Sequence, residues 1–304
     1  LSHPGVNSLK RLVKAATPRD TDGDHAIVIG AFCMSLVRKA GGKIFRMLKG
    51  VRSPLPKVIN HSDYKSLLKM PRFTPGRGTL FDRPVAFADI DGYLHSVSEI
   101  FGDEVYRFQC QTVAPHIIDA GANIGLSVIY FKQLFPAATI VAYEPDPQMF
   151  ALLTQNTGTY TGMTLHQAAA WTEDTNLTFY TEGSLAGSSE VDFLNKGAST
   201  TVAAVRLKDE LQKQHVDFLK IDIEGAENSV LFDIEDELDN VDLLFFEYHS
   251  PHTKPQLLGE MLKMVASKGF RYSINGAHAP RLPFIEKLAN GFDLQLNVSC
   301  MRPR

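Results

Sequence analysis

The chain has 304 residues, 44% hydrophobic and 21% charged, a globular composition with enough apolar material for one large domain plus an extension. Its three cysteines, Cys33, Cys110 and Cys300, are scattered and odd in number, which offers no disulfide framework or cysteine zinc site and fits a reducing, cytoplasmic compartment. The net charge of −3 conceals a split: residues 1–80 carry 15 Lys and Arg against 4 Asp and Glu, and residues 81–304 carry 16 against 30. A basic front end therefore precedes an acidic body.

The front end is read as a mainly helical extension over 1–80, ahead of a main domain over 81–304. Its longest apolar run, "AIVIGAFCMSLV" from Ala26 to Val37, is shorter than the roughly 20 residues that span a bilayer. Asp20, Asp22 and Asp24 stand where a signal peptide would be positive. The next segment, "RKAGGKIFRMLKG", interleaves Lys and Arg with Ile44, Phe45, Met47 and Leu48. Either it lies on an anionic membrane, at the inner face, or it packs on the body with its charges solvated. No aromatic-interleaved RNA motif is present and the body is acidic, so no nucleic-acid partner is expected.

From residue 113 strand-like and helix-like runs alternate: "HIIDA", "GLSVIYFKQLF", "TIVAYEP", "PQMFALLTQN", "TLHQAAAW", "LTFYT", "TVAAVRL", "KDELQKQ", "VDFLKIDIE", "AENSVLFDI", "VDLLFFEYH", "QLLGEMLKMVASKG", "FRYSING" and "DLQLNVSC". Continuous apolar strands separated by helices predict a parallel sheet covered on both faces. The last two strands lack a helix between them, which predicts an antiparallel hairpin at the sheet edge.

"IIDAGANIG", Ile117 to Gly125, ends the first strand and opens a helix at the edge where ligands of such sheets bind. Gly121 lets backbone approach a ligand, Gly125 permits close helix–strand packing, and the amides of the helix start are expected to face the ligand. A dinucleotide fingerprint has glycine where this chain has Asp119. A carboxylate there repels pyrophosphate but suits the ammonium and sulfonium of S-adenosylmethionine. In "IVAYEPDP", Glu144 falls at the second strand end, where a carboxylate accepts from ribose hydroxyls. Pro145 and Pro147 stop the strand, and Asp146 is placed to cap a helix. The small residues Ala168 to Ala170 either leave room for adenine or simply pack in the core. "FLKIDIEGAE", Phe218 to Glu227, sets Asp222 and Glu224 near a fourth strand end, and "FFEYH" adds Glu247 and His249 at the fifth.

In order, "DAGANIG", "YEPDP", "IDIEGAE" and "FFEYH", with the lead-in "SEIFGDEVYRF", resemble the FkbM family of S-adenosylmethionine-dependent methyltransferases over about residues 85 to 300. The resemblance implies an α/β fold, the class I methyltransferase Rossmann-like sheet of seven mostly parallel strands with the last one antiparallel. It implies cofactor contacts at Asp119, Gly121, Asn123, Gly125 and Glu144, with Ala122, Pro145, Ala169 and Asp222 in the same cleft. It further implies O-methylation, often of a sugar hydroxyl in a polysaccharide, glycolipid or secondary metabolite. Asp222, Glu224, Glu247 and His249 are the expected catalytic residues: His249 or Asp222 as base, His249 for its near-neutral pKa, and Glu224 orienting the acceptor. No resident metal is expected. A version in which the carboxylates hold magnesium or manganese to acidify the hydroxyl stands second. The rival readings are a nucleotide-dependent oxidoreductase and a non-catalytic cofactor-binding scaffold.

Overall fold

The computed structural model describes residues 55, 57–181, 187–188, 199–286, 288 and 291–303. The apolar run at 26–37 and the basic segment at 38–50 lie outside the described residues. The compact unit that holds the described residues starts at Leu55. It opens with helix α1 (His61–Leu67), capped by the Asn60 side chain on the Asp63 amide, and a hairpin of β1 (Gly76–Leu80) and β2 (Arg83–Phe87). Helix α2 (Ile90–Val97) follows and runs into a π turn, Ser98–Gly102.

The central sheet is built from β3 (His116–Ala120), β4 (Thr139–Tyr143), β5 (Met163–His166), β10 (Val216–Ile221), β11 (Val241–Pro251), β12 (Arg271–His278) and β13 (Phe292–Met301), in the order β12-β13-β11-β10-β3-β4-β5. β3, β4, β5, β10 and β11 pair in parallel, and β13 inserts antiparallel between β11 and β12. The expected terminal hairpin is therefore present, with β12 at the edge. β3 is buried along its whole length, as a strand covered on both faces must be. Helices α3 (Leu126–Leu134), α4 (Pro147–Thr157), α6 (Glu227–Asp233) and α7 (Leu258–Ser267) flank it, with the short α5 (Leu207–Leu211) leading into β10. One face of the core joins Ile118, Leu219, Phe246, Val230, Val265 and Val298. Asp146 caps α4 as expected, its carboxylate accepting from the amides of Gln148 and Met149 at 2.7 and 3.0 Å.

One stretch departs from the expected alternation. "TLHQAAAW" is two strands: β5 ends at His166, and β6 (Ala169–Trp171) joins a second sheet with β7 (Thr175–Thr181), β8 (Gly187–Ser188) and β9 (Ser199–Arg206), ordered β6-β9-β7-β8. The reason is connection length. Three residues separate β6 from β7, too few for the crossover that a parallel neighbour requires, so the chain turns back and β7 pairs antiparallel with β9.

The chain order reverses between β3 and β10, so the switch point lies at their carboxyl ends. β11 overshoots β10 there: Phe246 is level with Ile221, and Glu247 to Pro251 run on beside β13. That overhang carries Glu247 and His249 past the end of the sheet's centre.

Candidate active site at the switch point

The turn after β3 is held by its own chain. The amides of Gly121 and Ala122 donate to the Tyr143 carbonyl at 3.1 and 2.9 Å, and that of Gly125 to the Ala122 carbonyl at 2.8 Å. The Asn123 amide donates to Glu144 Oε2 at 2.9 Å, and that of Ile124 to Asn123 Oδ1 at 2.7 Å. Every amide from Gly121 to Gly125 is thus engaged within the turn, and the helix itself starts at Leu126. Gly121 (φ 92°) is required because a Cβ there would overlap the Asp222 carbonyl oxygen, so the turn packs directly on the chain that follows β10. Gly125 (φ 89°) makes room for Leu153 and Thr157 of α4, so its close packing is helix to helix rather than helix to strand.

Glu144 is buried and accepts from the amides of Asn123 and Asp146, the latter at 2.8 Å. Two lone-pair sites remain for a nucleoside. Burial pushes its carboxyl up to about 8, against the opposing pull of those amides. Pro145 is half-buried beside it. Ala168 and Ala169 are buried, and Ala170 belongs to the core.

Asp119 does not open to the cleft. It is 0% exposed, accepts from Ser127 Oγ at 2.5 Å, and pairs with Lys220 Nζ at 3.0 Å. Lys220, 1% exposed, also donates to the Gly121 carbonyl at 2.8 Å, stands 3.6 Å from Asp222 Oδ2, and lies over the Tyr106 ring. Burial pulls its pKa down, but Asp119 and Asp222 outweigh it and the net shift is upward. The Asp119 charge is therefore matched by the protein and clamps β3 to β10. Lys220 was not among the expected residues. Its signal was a lone lysine in the otherwise apolar run "FLKI".

Beyond β10, Asp222 accepts from the Tyr106 hydroxyl at 3.4 Å. Glu224 sits at φ 57° and Gly225 at φ 99°, a left-handed pair that costs Glu224 roughly 1–2 kcal/mol. Glu227, fully buried at the start of α6, holds this turn by accepting from the amides of Ile223 at 2.9 Å and Gly225 at 3.0 Å. The same carboxylate lies 3.0 Å from His249 Nδ1. His249 is 1% exposed, and its Nε2 faces Glu224 Oε2 at 3.3 Å and Glu247 Oε1 at 3.7 Å. Burial pulls His249 down, yet Glu227 and Glu224 carry it well above the usual histidine range. The near-neutral pKa expected of it is not what this fold provides. Burial, reinforced by Asp222, raises Glu247 well above the carboxylate range. Glu227 was missed in the sequence, although "EGAE" spaces it three residues from Glu224.

Asp222, Glu224, Glu247 and His249 thus converge, with Asp222 also beside the first turn through the Gly121 contact. The donor set is rich in carboxylate and, in the first turn, poor in free amide, which fits a ligand with a cationic end. The strand order, the single reversed strand and this switch-point site define a class I methyltransferase. The chain belongs to the FkbM methyltransferase family, since residues 119–272 match the Methyltransferase FkbM domain. S-adenosylmethionine use follows from that membership.

Methyltransferase 1 of Beauveria bassiana is 31% identical over 177 residues, covering 47% of this chain and 71% of that one. The 31-O-demethyl-FK506 methyltransferase FkbM of Streptomyces tacrolimicus is 24% identical over 209 residues, covering 57% and 79%. The 2-O-methyltransferase NoeI of Sinorhizobium fredii is 28% identical over 153 residues, covering 44% and 63%. A solved FkbM methyltransferase from Methylobacillus flagellatus KT aligns at TM-score 0.41 and 17% identity, covering 63% of this chain and 45% of that one. Among the described residues no helix is long and apolar enough to cross a membrane.

Proposed function

We propose that the chain transfers a methyl group from S-adenosylmethionine to a hydroxyl oxygen, with a sugar of a glycan, glycolipid or small natural product as acceptor. The observation that carries this is the convergence of Asp222, Glu224, Glu247 and His249 at the carboxyl edge beside the first turn. The names of two relatives, a 2-O-methyltransferase and a 31-O-demethyl-FK506 methyltransferase, support oxygen as the accepting atom.

Glu144 would hold the ribose hydroxyls, Ala169 and Pro145 would border the base, and Asp222 with the Gly121–Asn123 backbone would meet the cationic amino-acid end. Bound there, the sulfonium supplies an electrophilic methyl. A hydroxyl is a weak nucleophile, so its proton must leave as the carbon–oxygen bond forms and the sulfur–carbon bond breaks. His249 is ill placed for that proton, because carboxylates already occupy both of its ring nitrogens. Glu247, partly open at 14% side-chain exposure, is the base in this reading; it acts in its ionised form, and its raised pKa makes that carboxylate the stronger base. Glu224 and His249 orient the acceptor, and that positioning lowers the entropic part of the barrier.

Calorimetry of the full chain with S-adenosylhomocysteine, followed by a labelled-methyl screen against hydroxyl-bearing glycans and small molecules, tests this. Micromolar binding with transfer to an oxygen is expected. Binding with no transfer to any pool would return the scaffold reading, and absence of binding would overturn the cofactor assignment.

A further inference from the structure

We infer that Asp222, Glu224 and His249 bind one divalent cation of the magnesium or manganese type. One donor atom from each lies within 4.8 Å of the others, a spacing a single ion can bridge. The His249 ring is fixed for this role. Glu227 holds Nδ1 at 3.0 Å and leaves Nε2 directed at Glu224 and Glu247. A buried carboxylate on the far nitrogen is the arrangement that orients and strengthens a ligating imidazole.

A second observation comes from β13. Asn297 lies directly across from Glu247 in the antiparallel pair, so the two side chains leave the same face. Asn297 is 5% exposed, its Nδ2 donates to Glu99 at 3.2 Å, and its Oδ1 has no partner. A buried amide oxygen without a donor is costly. Its neighbours are Glu99, to which Nδ2 donates, and Glu247 across the strand pair, where a hard cation or its water would satisfy it. The charge balance points the same way. Asp222, Glu224, Glu247 and Glu99 gather at this edge, while Lys220 is shared among Asp119, the Gly121 carbonyl and, at 3.6 Å, Asp222. Carboxylates with one imidazole suit magnesium or manganese better than softer ions.

The other such group among the described residues, His215, Asp217 and Asp242, lies at the opposite ends of β10 and β11. There Asp217 is already engaged by the His116 amide at 2.7 Å and by Cys110, and no unpartnered buried atom accompanies it.

A cation at Asp222, Glu224 and His249 would acidify the acceptor hydroxyl, and Glu247, outside the ligand set, still takes the proton. The chemistry rests on the methyltransferase reading, but the ion site does not.

The test is Mn2+ titration of the chelator-stripped full chain by calorimetry and electron paramagnetic resonance, with S-adenosylhomocysteine binding measured in parallel. One Mn2+ per chain is expected. Asp222→Asn and Glu224→Gln should each weaken it by about tenfold or more, and His215→Ala should leave it unchanged. Glu224→Gln lies outside the proposed cofactor contacts, so its retained S-adenosylhomocysteine binding certifies the fold. A wild-type chain that binds S-adenosylhomocysteine but no Mn2+ would overturn the inference. So would a Glu224→Gln chain that binds Mn2+ like the wild type. A chain that binds Mn2+ but not S-adenosylhomocysteine would instead uphold the ion site and sink the cofactor assignment.

Discussion

Glu227 shows how one buried side chain can set up others. It collects the amides of Ile223 and Gly225, which forces Glu224 into its left-handed conformation, and it grips His249 from behind. Glu227→Gln replaces one acceptor oxygen with a donor that the Gly225 amide or His249 must face. The expected result is a fall in kcat of roughly 10- to 100-fold, the usual cost of losing such a supporting group. S-adenosylhomocysteine affinity should stay within about twofold of the wild type; an equal loss in both would make Glu227 merely structural. Glu144 carries a pH prediction. Its carboxyl is raised to about 8 by burial, and ribose hydroxyls donate more strongly to the ionised form, so binding lowers that pKa. Affinity for S-adenosylhomocysteine should then rise as pH climbs from about 6 and level off above about 8, by up to tenfold per unit of the shift. Calorimetry from pH 6 to 9 checks this, and a slope that persists unchanged in Glu144→Gln would assign it elsewhere. The residues that face this edge were legible because acids at strand ends are conspicuous. The partners of Asp119 were not, since pairing it with Lys220 depends on the register between β3 and β10, which no single strand's sequence contains.

At the scale of elements, the central parallel strands could be read in advance because each is a short apolar run bounded by a turn. The split of "TLHQAAAW" could not, since periodicity does not say which sheet a strand joins. The glycine turn was legible as a turn but its contacts were not. Gly121 exists to let β3 and the end of β10 touch, and Gly125 to let α3 and α4 touch. These two differ in a way that substitution can measure. Both carry a positive φ, but at Gly121 an added methyl meets a backbone carbonyl that cannot rotate away. At Gly125 it meets the side-chain ends of Leu153 and Thr157 at 2.9 Å, and Leu153 has a rotamer to yield. Gly125→Ala should cost about 1–3 kcal/mol of overpacking plus about 1 kcal/mol for its positive φ. Gly121→Ala should cost more, about 4 kcal/mol or above, and should displace Asp222. Urea midpoints of the two variants rank them. If Gly125→Ala proves the more damaging, the β3–β10 contact is not what Gly121 serves.

At the scale of the molecule, charge is distributed in two blocks, and the described residues form a compact unit of their own. Its sheet, flanking helices and acidic site all lie within Leu55–Arg304, and the lead-in elements α2 and the π turn reach the site through Glu99 and Asn297. The excess of positive charge lies ahead of it: of the 15 Lys and Arg in residues 1–80, ten precede Leu55, against three Asp there. Their attraction to an anionic surface would be worth about 1 kcal/mol for each Lys or Arg that reaches it, screened within a Debye length. A chain consisting of residues 55–304 should therefore fold cooperatively and bind S-adenosylhomocysteine as the full chain does. It should lose whatever affinity the full chain shows for phosphatidylserine vesicles in co-sedimentation at low salt. Methyl transfer to a water-soluble acceptor should be unchanged by the truncation, whereas transfer to a vesicle-embedded glycolipid should fall with the vesicle affinity. Equal sedimentation of the two chains would remove the membrane role from the basic segment. Loss of S-adenosylhomocysteine binding on truncation would instead show that residues before Leu55 complete the site.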